Sequence, residues 1–245
     1  MQIISKYRTT LIGLTVFSIA MGYLESAVVV YLRDLYYPSG FDFPLVTMSN
    51  TIALTEILRE AATVVMLLTV GYLAGENNRN RFAWFLYCFA IWDLFFYIFL
   101  KFLIDWPESL FTWDLLFLIP VMWTGPVIAP VIASFSMILL AFLILFYYDQ
   151  IMQSRPRWFI FLILLGATLI FISFIWDFST YILKDNPFGA LFSYEVNQHA
   201  LIQYKPASFN WWLFIFGQLS VFAGFLIPFT GTKKSIRKFK LRKRH

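Results

Sequence analysis

Charge is what this sequence has least of. Asp, Glu, Lys and Arg make up only 13% of its 245 residues, about half the share of roughly 25% found in soluble domains. So few polar side chains cannot cover a globular surface, which excludes an ordinary soluble enzyme. Disordered chains are poor in apolar residues, so that class is excluded as well. Cysteine is almost missing. Cys88 stands alone in an apolar stretch, so neither a disulfide scaffold nor a Cys-based redox pair can form within the chain. Histidine is limited to His199 and His245, both outside the apolar stretches. Bis-His haem ligation, HExxH zinc chemistry and Cys/His metal clusters therefore lack their ligands. No cofactor and no metal site is expected.

What fills the sequence instead is apolar: 60% of residues are hydrophobic, 21% are aromatic, and the mean hydropathy is +0.71. A membrane helix needs about 20 mostly apolar residues. Six stretches qualify, at approximately 10–32, 50–74, 82–104, 126–148, 158–183 and 210–230. The fold class this predicts is an all-α, polytopic transmembrane bundle of about six spans plus one re-entrant or broken half-helix. It forms a single domain over 1–232, followed by a basic tail over 233–245. Lys6, Arg8 and Ser18-Ile19-Ala20 imitate a cleavable signal peptide. The apolar run continues through Val28-Val29-Val30, which favours a retained first helix.

Basic residues predict the orientation. With the N-terminus inside, inner segments hold Lys6, Arg8, Arg79, Arg81, Arg155, Arg157 and eight tail residues, fourteen in all. Outer segments hold Arg33, Lys101, Lys184 and Lys205, four in all. The positive-inside rule then places both termini in the cytoplasm.

Charges within a span cost about 2.5–3.5 kcal/mol each on insertion scales, so they face protein or water and usually have partners. Glu25, Glu56, Glu60, Asp93 and Asp177 lie in the predicted spans, and Arg59 is the one base at such depth. On the second helix Glu56, Arg59, Glu60 and Thr63 share an arc of about 100°. On the first, Thr15, Ser18, Gly22 and Glu25 form a stripe of small and polar residues suited to close helix contact. The third carries Asp93, Tyr97 and Lys101 at i, i+4 and i+8. The fifth carries Gly166, Ser173, Asp177 and Thr180, and the sixth Gly217, Gln218 and Gly224. Together these stripes predict one interior site that binds a ligand or ion through Glu25, Glu56, Arg59, Glu60, Asp93 and Tyr97. Asp114 and Asp177 would form an outer gate. With Glu25, Glu56, Glu60 and Asp93 ionised against Arg59, the net charge is −3. Such a cluster calls for bound protons or a bound cation. A packing role for a buried Arg–carboxylate network is the plainer alternative.

The stretch 113–130 contains Pro120, Pro126 and Pro130 as well as Gly125. Each proline removes a backbone donor and disturbs a helix. Broken helices at membrane depth often line substrate sites. The segment 111–124 is too short to span and reads as a re-entrant or interfacial half-helix. The competing reading is a long, kinked fourth helix starting near Leu115.

The strings GYLESAVVVYLRDLYYPSGFDFPL, REAATVVMLL, WDLFFY, WPESLFTWDLLFLIP and GPVIAP lie between about 10 and 135. They resemble a widespread set of bacterial multi-pass membrane proteins with no assigned activity. That resemblance implies a bacterial inner-membrane location and transfers no catalytic residue. The sequence lacks the residues of known intramembrane enzymes. Glu56-x-x-Arg59-Glu60 has the wrong spacing for a CAAX-type protease, whose histidines are missing too. The Asp pairs of prenyltransferases, a rhomboid-like Ser/His pair and a GxGD motif are also absent.

The third helix is dense in aromatics from Phe82 to Phe99, suited to lipid-facing bulk or to a pocket for a lipid, quinone or polyprenyl chain. The basic tail suits anionic lipid headgroups; no nucleic-acid partner is expected. Three functions remain open. One is proton- or cation-linked transport or small-ligand binding. The second is an intramembrane enzyme acting on a lipid-linked substrate. The third is a structural or assembly subunit.

Overall fold

The computed structural model describes residues 2–154 and 156–224. Its long helices are α1 (Gln2–Tyr36), α2 (Asn50–Ala74), α3 (Asn78–Ile104), α4 (Ile128–Ser154) and α5 (Pro156–Leu183). A 3-10 turn (Phe188–Phe192), the short α6 (Tyr194–Leu201) and α7 (Trp211–Gly224) follow. Five helices are long and apolar enough to cross a membrane: Tyr7–Tyr36, Asn50–Ala74, Asn78–Ile104, Ile128–Tyr148 and Arg157–Leu183. They coincide with the first five predicted spans. The sixth is described only as far as Gly224, and the basic tail lies outside the described residues.

Local chemistry sets the helix starts. Ser49 Oγ accepts the Ile52 N–H ahead of α2, Asn77 Oδ1 accepts that of Asn80 ahead of α3, and Asn210 Oδ1 accepts that of Leu213 at the start of α7. Each satisfies a backbone donor that the first turn leaves open. Pro156 opens α5, where a missing N–H costs nothing.

The exterior is apolar. Val16, Leu24, Leu58, Val65 and Leu164 are each 59–63% exposed. Exposed apolar surface on this scale marks a membrane-embedded bundle. The interior is built on α3, which packs against α1, α2 and α4. Trp84, Tyr87, Cys88 and Trp92 of α3 meet Leu14 and Met21 of α1 and Leu140, Ala141 and Ile144 of α4 in the main core. Two glycines set the spacing around α3. A Cβ on Gly22 of α1 would lie 2.9 Å from the Trp92 carbonyl, and one on Gly71 of α2 would lie 2.7 Å from the Phe85 nitrogen. Both helices therefore approach α3 at van der Waals distance. They scarcely meet each other, and this leaves a cleft between α1 and α2.

The segment 111–124 is neither a half-helix nor the start of a kinked helix. It forms most of a β-hairpin, in which β1 (Trp113–Phe117) pairs antiparallel with β2 (Trp123–Pro126). The all-α expectation is corrected to this extent. Pro120 falls in the turn and Pro126 at the end of β2, where each interrupts a helix but spares most of a two-stranded ladder. Asp114 lies opposite Gly125 and Leu115 opposite Thr124, with an irregularity before Phe117. Backbone at membrane depth must be satisfied within protein, and a buried hairpin achieves this as a helix would. Phe117 stacks on Phe89 near the middle of α3, with ring centroids 6.2 Å apart.

Beyond the helix ends, Phe43 and Leu45 of the first long loop pack with Val121 and Met122 of the hairpin turn. Phe178 and Ile182 of α5 and Leu191, Ala200 and Tyr204 of the 184–209 segment complete this layer. The last long loop, too short for its own core, thus shares one with the hairpin and α5.

Candidate functional site

The α1–α2 cleft becomes a cavity of about 210 Å³, walled on its remaining sides by the first long loop, the hairpin and α6. Glu25 and Arg33 enter from α1, Glu56, Arg59 and Glu60 from α2, and Asp114 from β1. The α2 residues converge because positions i, i+3 and i+4 share one helix face.

Arg59 bridges the cleft. Its Nε donates to Glu56 Oε2 at 2.8 Å, and its Nη1 pairs with Glu25 across the cleft. Thr63 Oγ1 donates to Glu25 Oε2 at 3.3 Å. The stripe of Thr15, Ser18 and Gly22 faces α3: Thr15 shares a 2.7 Å hydrogen bond with Tyr87, and Ser18 is buried. Glu25 ends that stripe and turns toward α2.

Glu60 is buried and makes no ion pair among the described residues. Its Oε2 accepts the Leu118 N–H from the hairpin turn at 2.8 Å. A second ionic group completes the wall. Asp114 Oδ2 accepts from the Tyr97 hydroxyl at 3.0 Å, and Asp114 Oδ1 lies 3.6 Å from Arg33 Nη2. The Arg33 guanidinium sits in the corner of two nearly perpendicular aromatic rings, 3.8 Å from the Trp106 centroid and 4.5 Å from that of Phe41. Contact with two ring faces favours a planar, weakly hydrated cation over an ammonium.

The structure divides the predicted cluster. Glu25, Glu56, Arg59 and Glu60 come together as expected. Asp93 faces a different cavity, of about 360 Å³, between α3, α4, α5 and the hairpin, where the Ser134 hydroxyl donates to its Oδ2 at 2.7 Å. Tyr97 lines that second cavity and reaches Asp114. Arg33, assigned by sequence to an outer loop, belongs to the first site because α1 continues one turn further, to Tyr36. Its signal was the spacing Glu25, Val29, Arg33, which keeps all three on one side of a helix. With Arg33 and Asp114 included and Asp93 removed, the first cavity carries four acids and two bases, a net −2 if all ionise.

Asp114 and Asp177, expected together as a gate, stand apart. Asp177 accepts the Tyr204 hydroxyl at 2.7 Å and the Ala207 and Ser208 N–H groups at 3.0 and 3.2 Å. It fastens the segment after α6 to α5. Lys101, at the outer end of the α3 line, pairs with Asp105 at 2.6 Å. Among the described residues, no group of three or more His, Cys, Asp or Glu side chains is arranged to hold a metal ion.

No protein-family model, no curated protein and no solved structure matches this chain. Its functional reading rests on the cavities themselves.

Proposed function

We propose that the chain is a multi-pass protein of the bacterial inner membrane, with both termini cytoplasmic. We propose further that its first cavity binds a proton or a small cation-bearing solute during transport. One observation carries this reading: Glu60 is a buried carboxylate on a cavity wall with a backbone amide for a hydrogen-bond partner and no ion pair among the described residues. A buried carboxylate without an ion pair is costly, so it takes up a proton or receives a positive group. Among the other ions on that wall Arg33 is matched by Asp114, and Arg59 is shared between two glutamates. Glu60 therefore supplies one of the two excess negative charges, and the only one on a carboxylate with no ion pair among the described residues. Fourteen bases inside against four outside support the orientation.

The test is flux in proteoliposomes under an imposed pH gradient, with monovalent cations and small amines as solutes. Wild-type protein should show a flux that Glu60→Gln abolishes while the thermal midpoint is kept. If Glu60→Gln behaves as wild type, or no flux is seen, the carboxylate serves packing alone. Orientation has its own test. Cys88 is buried, so wild-type protein should resist a membrane-impermeant maleimide. Ser39→Cys should react from outside intact cells and Asn78→Cys only after lysis; the reverse pattern inverts the topology.

A further inference from the structure

The wall of the second cavity carries a carboxylate with no cation to meet it. Asp93 belongs to that wall, and the Ser134 hydroxyl donates to its Oδ2 at 2.7 Å. Asp93 Oδ1 has no hydrogen-bond partner among the described residues, and it is not sealed off as the Trp92 and Trp123 indole nitrogens are. Asp93 keeps 8% of its surface. It lies at the middle of α3, which α1, α2 and α4 enclose, so that surface opens on the cavity. No Lys, Arg or His stands on the wall, and Asp93 makes no ion pair among the described residues. The two cavities adjoin at Glu25, Phe96 and Leu116, which line both. Glu25 already has a cation in Arg59; Asp93 has none.

We infer that the second cavity binds a hydrophobic amine, held as an ammonium ion against Asp93 with its apolar body among the surrounding rings. A carboxylate at membrane depth is costly unless a proton or a positive group meets it. The space in front of Asp93 is about 360 Å³, far more than a bare ion needs and within the range of small-molecule sites. Aromatic side chains make up nine of its 24 wall residues. Phe89, Asp93 and Phe96 follow at i−4, i and i+3 on one face of α3, so rings flank the carboxylate on its own helix. Ring faces attract organic cations, and the apolar wall accepts a body that a metal ion lacks. The carboxylates repel a phosphate, so a free amine fits better than the amino headgroup of a phospholipid.

Entry is sideways. Leu164 and Phe82 belong both to the cavity wall and to the exposed apolar exterior, being 63% and 49% exposed. The helices α4 and α5 touch only sparingly along this side. An amine crosses hydrocarbon most readily uncharged. Its nitrogen lone pair then takes the proton of the Asp93 carboxyl, one N–H bond forming as one O–H bond breaks, and the ion pair is made in place.

Purified protein in a neutral detergent would be titrated calorimetrically with 4-phenylbutylamine, 4-phenylbutanol and 4-phenylbutyrate, with protein-free detergent as the blank. The three probes share one body and differ in charge. The amine should bind about tenfold or more tighter than the alcohol, and the butyrate weakest. Asp93→Asn keeps an oxygen for Ser134 and removes the charge. It should weaken the amine about 10- to 100-fold, the worth of a hydrogen bond to a charged group, and leave the alcohol unchanged. Ala167→Trp, at an exposed wall position, should block amine and alcohol alike, and it carries the test if Asp93→Asn fails to fold. The inference is overturned if the amine does not bind, if the alcohol binds as tightly, or if either substitution leaves amine binding unchanged. It is overturned as well if Glu60→Gln removes amine binding instead, which would seat the cation in the first cavity.

Discussion

The Glu60 carboxylate accepts the Leu118 backbone N–H at 2.8 Å, which joins the middle of α2 to the turn of the hairpin. The same side chain thus closes a wall of the first cavity and holds one of its two excess negative charges. Two substitutions separate these roles. Glu60→Gln keeps an oxygen for Leu118, while Glu60→Ala leaves a buried amide unpaired, at about 1–3 kcal/mol. Thermal unfolding in detergent should show a lower midpoint for the alanine variant than for the glutamine variant. Equal midpoints would mean that the bond to Leu118 contributes nothing.

Arg59 is the only cation paired with Glu25 or Glu56 among the described residues. Arg59→Leu strands two carboxylates in a largely buried cleft. The expected cost is about 3–5 kcal/mol, as for other broken buried pairs. Combining Arg59→Leu with Glu25→Gln should recover part of the loss, and a double-mutant cycle on denaturation midpoints measures the coupling. Strict additivity of the two substitutions would remove the cross-cleft ion pair from the account.

Gly22 allows α1 to lie on the Trp92 carbonyl, and its nearest non-glycine substitute has no room there. Gly22→Leu should push α1 away from α3 and destabilise the bundle by about 1–3 kcal/mol, the usual range for overpacking. Because Glu25 sits one turn beyond, the same change should separate it from Arg59. A cross-link between cysteines placed at 25 and 59 should then form less readily than in a Gly22 background.

Tyr204 gives an alkaline limit. Burial pushes its phenol well above its ordinary value of 10; the hydrogen bond with Thr124 opposes this, and Asp177 adds to it. A raised value means that the folded state prefers the neutral phenol. That stabilisation is complete below pH 10 and is lost as pH climbs above it. Unfolding midpoints at pH 8 and pH 11 should therefore differ more for wild type than for Tyr204→Phe. An identical pH response in both would rule this out.

Trp106 stacks on Arg33 at 3.8 Å. Trp106→Leu keeps the site apolar but removes the ring face, at about 0.5–2 kcal/mol. Arg33 should then hold Asp114 less firmly, read as faster amide exchange across β1 and β2. Unchanged exchange would show that the stack does not position the guanidinium.

How much of this was readable beforehand depended on the period of the pattern. The five long helices announced themselves through uninterrupted apolar length. The hairpin did not, because Leu115-Leu116-Phe117-Leu118-Ile119 is apolar at every position. A short run that is apolar throughout shows neither helical nor strand alternation. The pairing of Glu56 with Arg59 followed from i, i+3 spacing alone. Which neighbour Asp93 faces did not, since a helix repeat says where a side chain points and not what meets it. Arg33 was missed because one further helical turn carries it from loop to cavity wall.

Leu115 and Leu118 of the hairpin border the first cavity, Phe117 and Trp123 border the second, and Leu116 borders both. The hairpin is therefore a party wall, one strand layer thick, between a charged chamber and a greasy one. Its turn is tethered on the charged side by Glu60, and Phe117 is stacked on the greasy side. One hairpin therefore keeps two spaces of unlike polarity apart, and a change in its turn is felt by both.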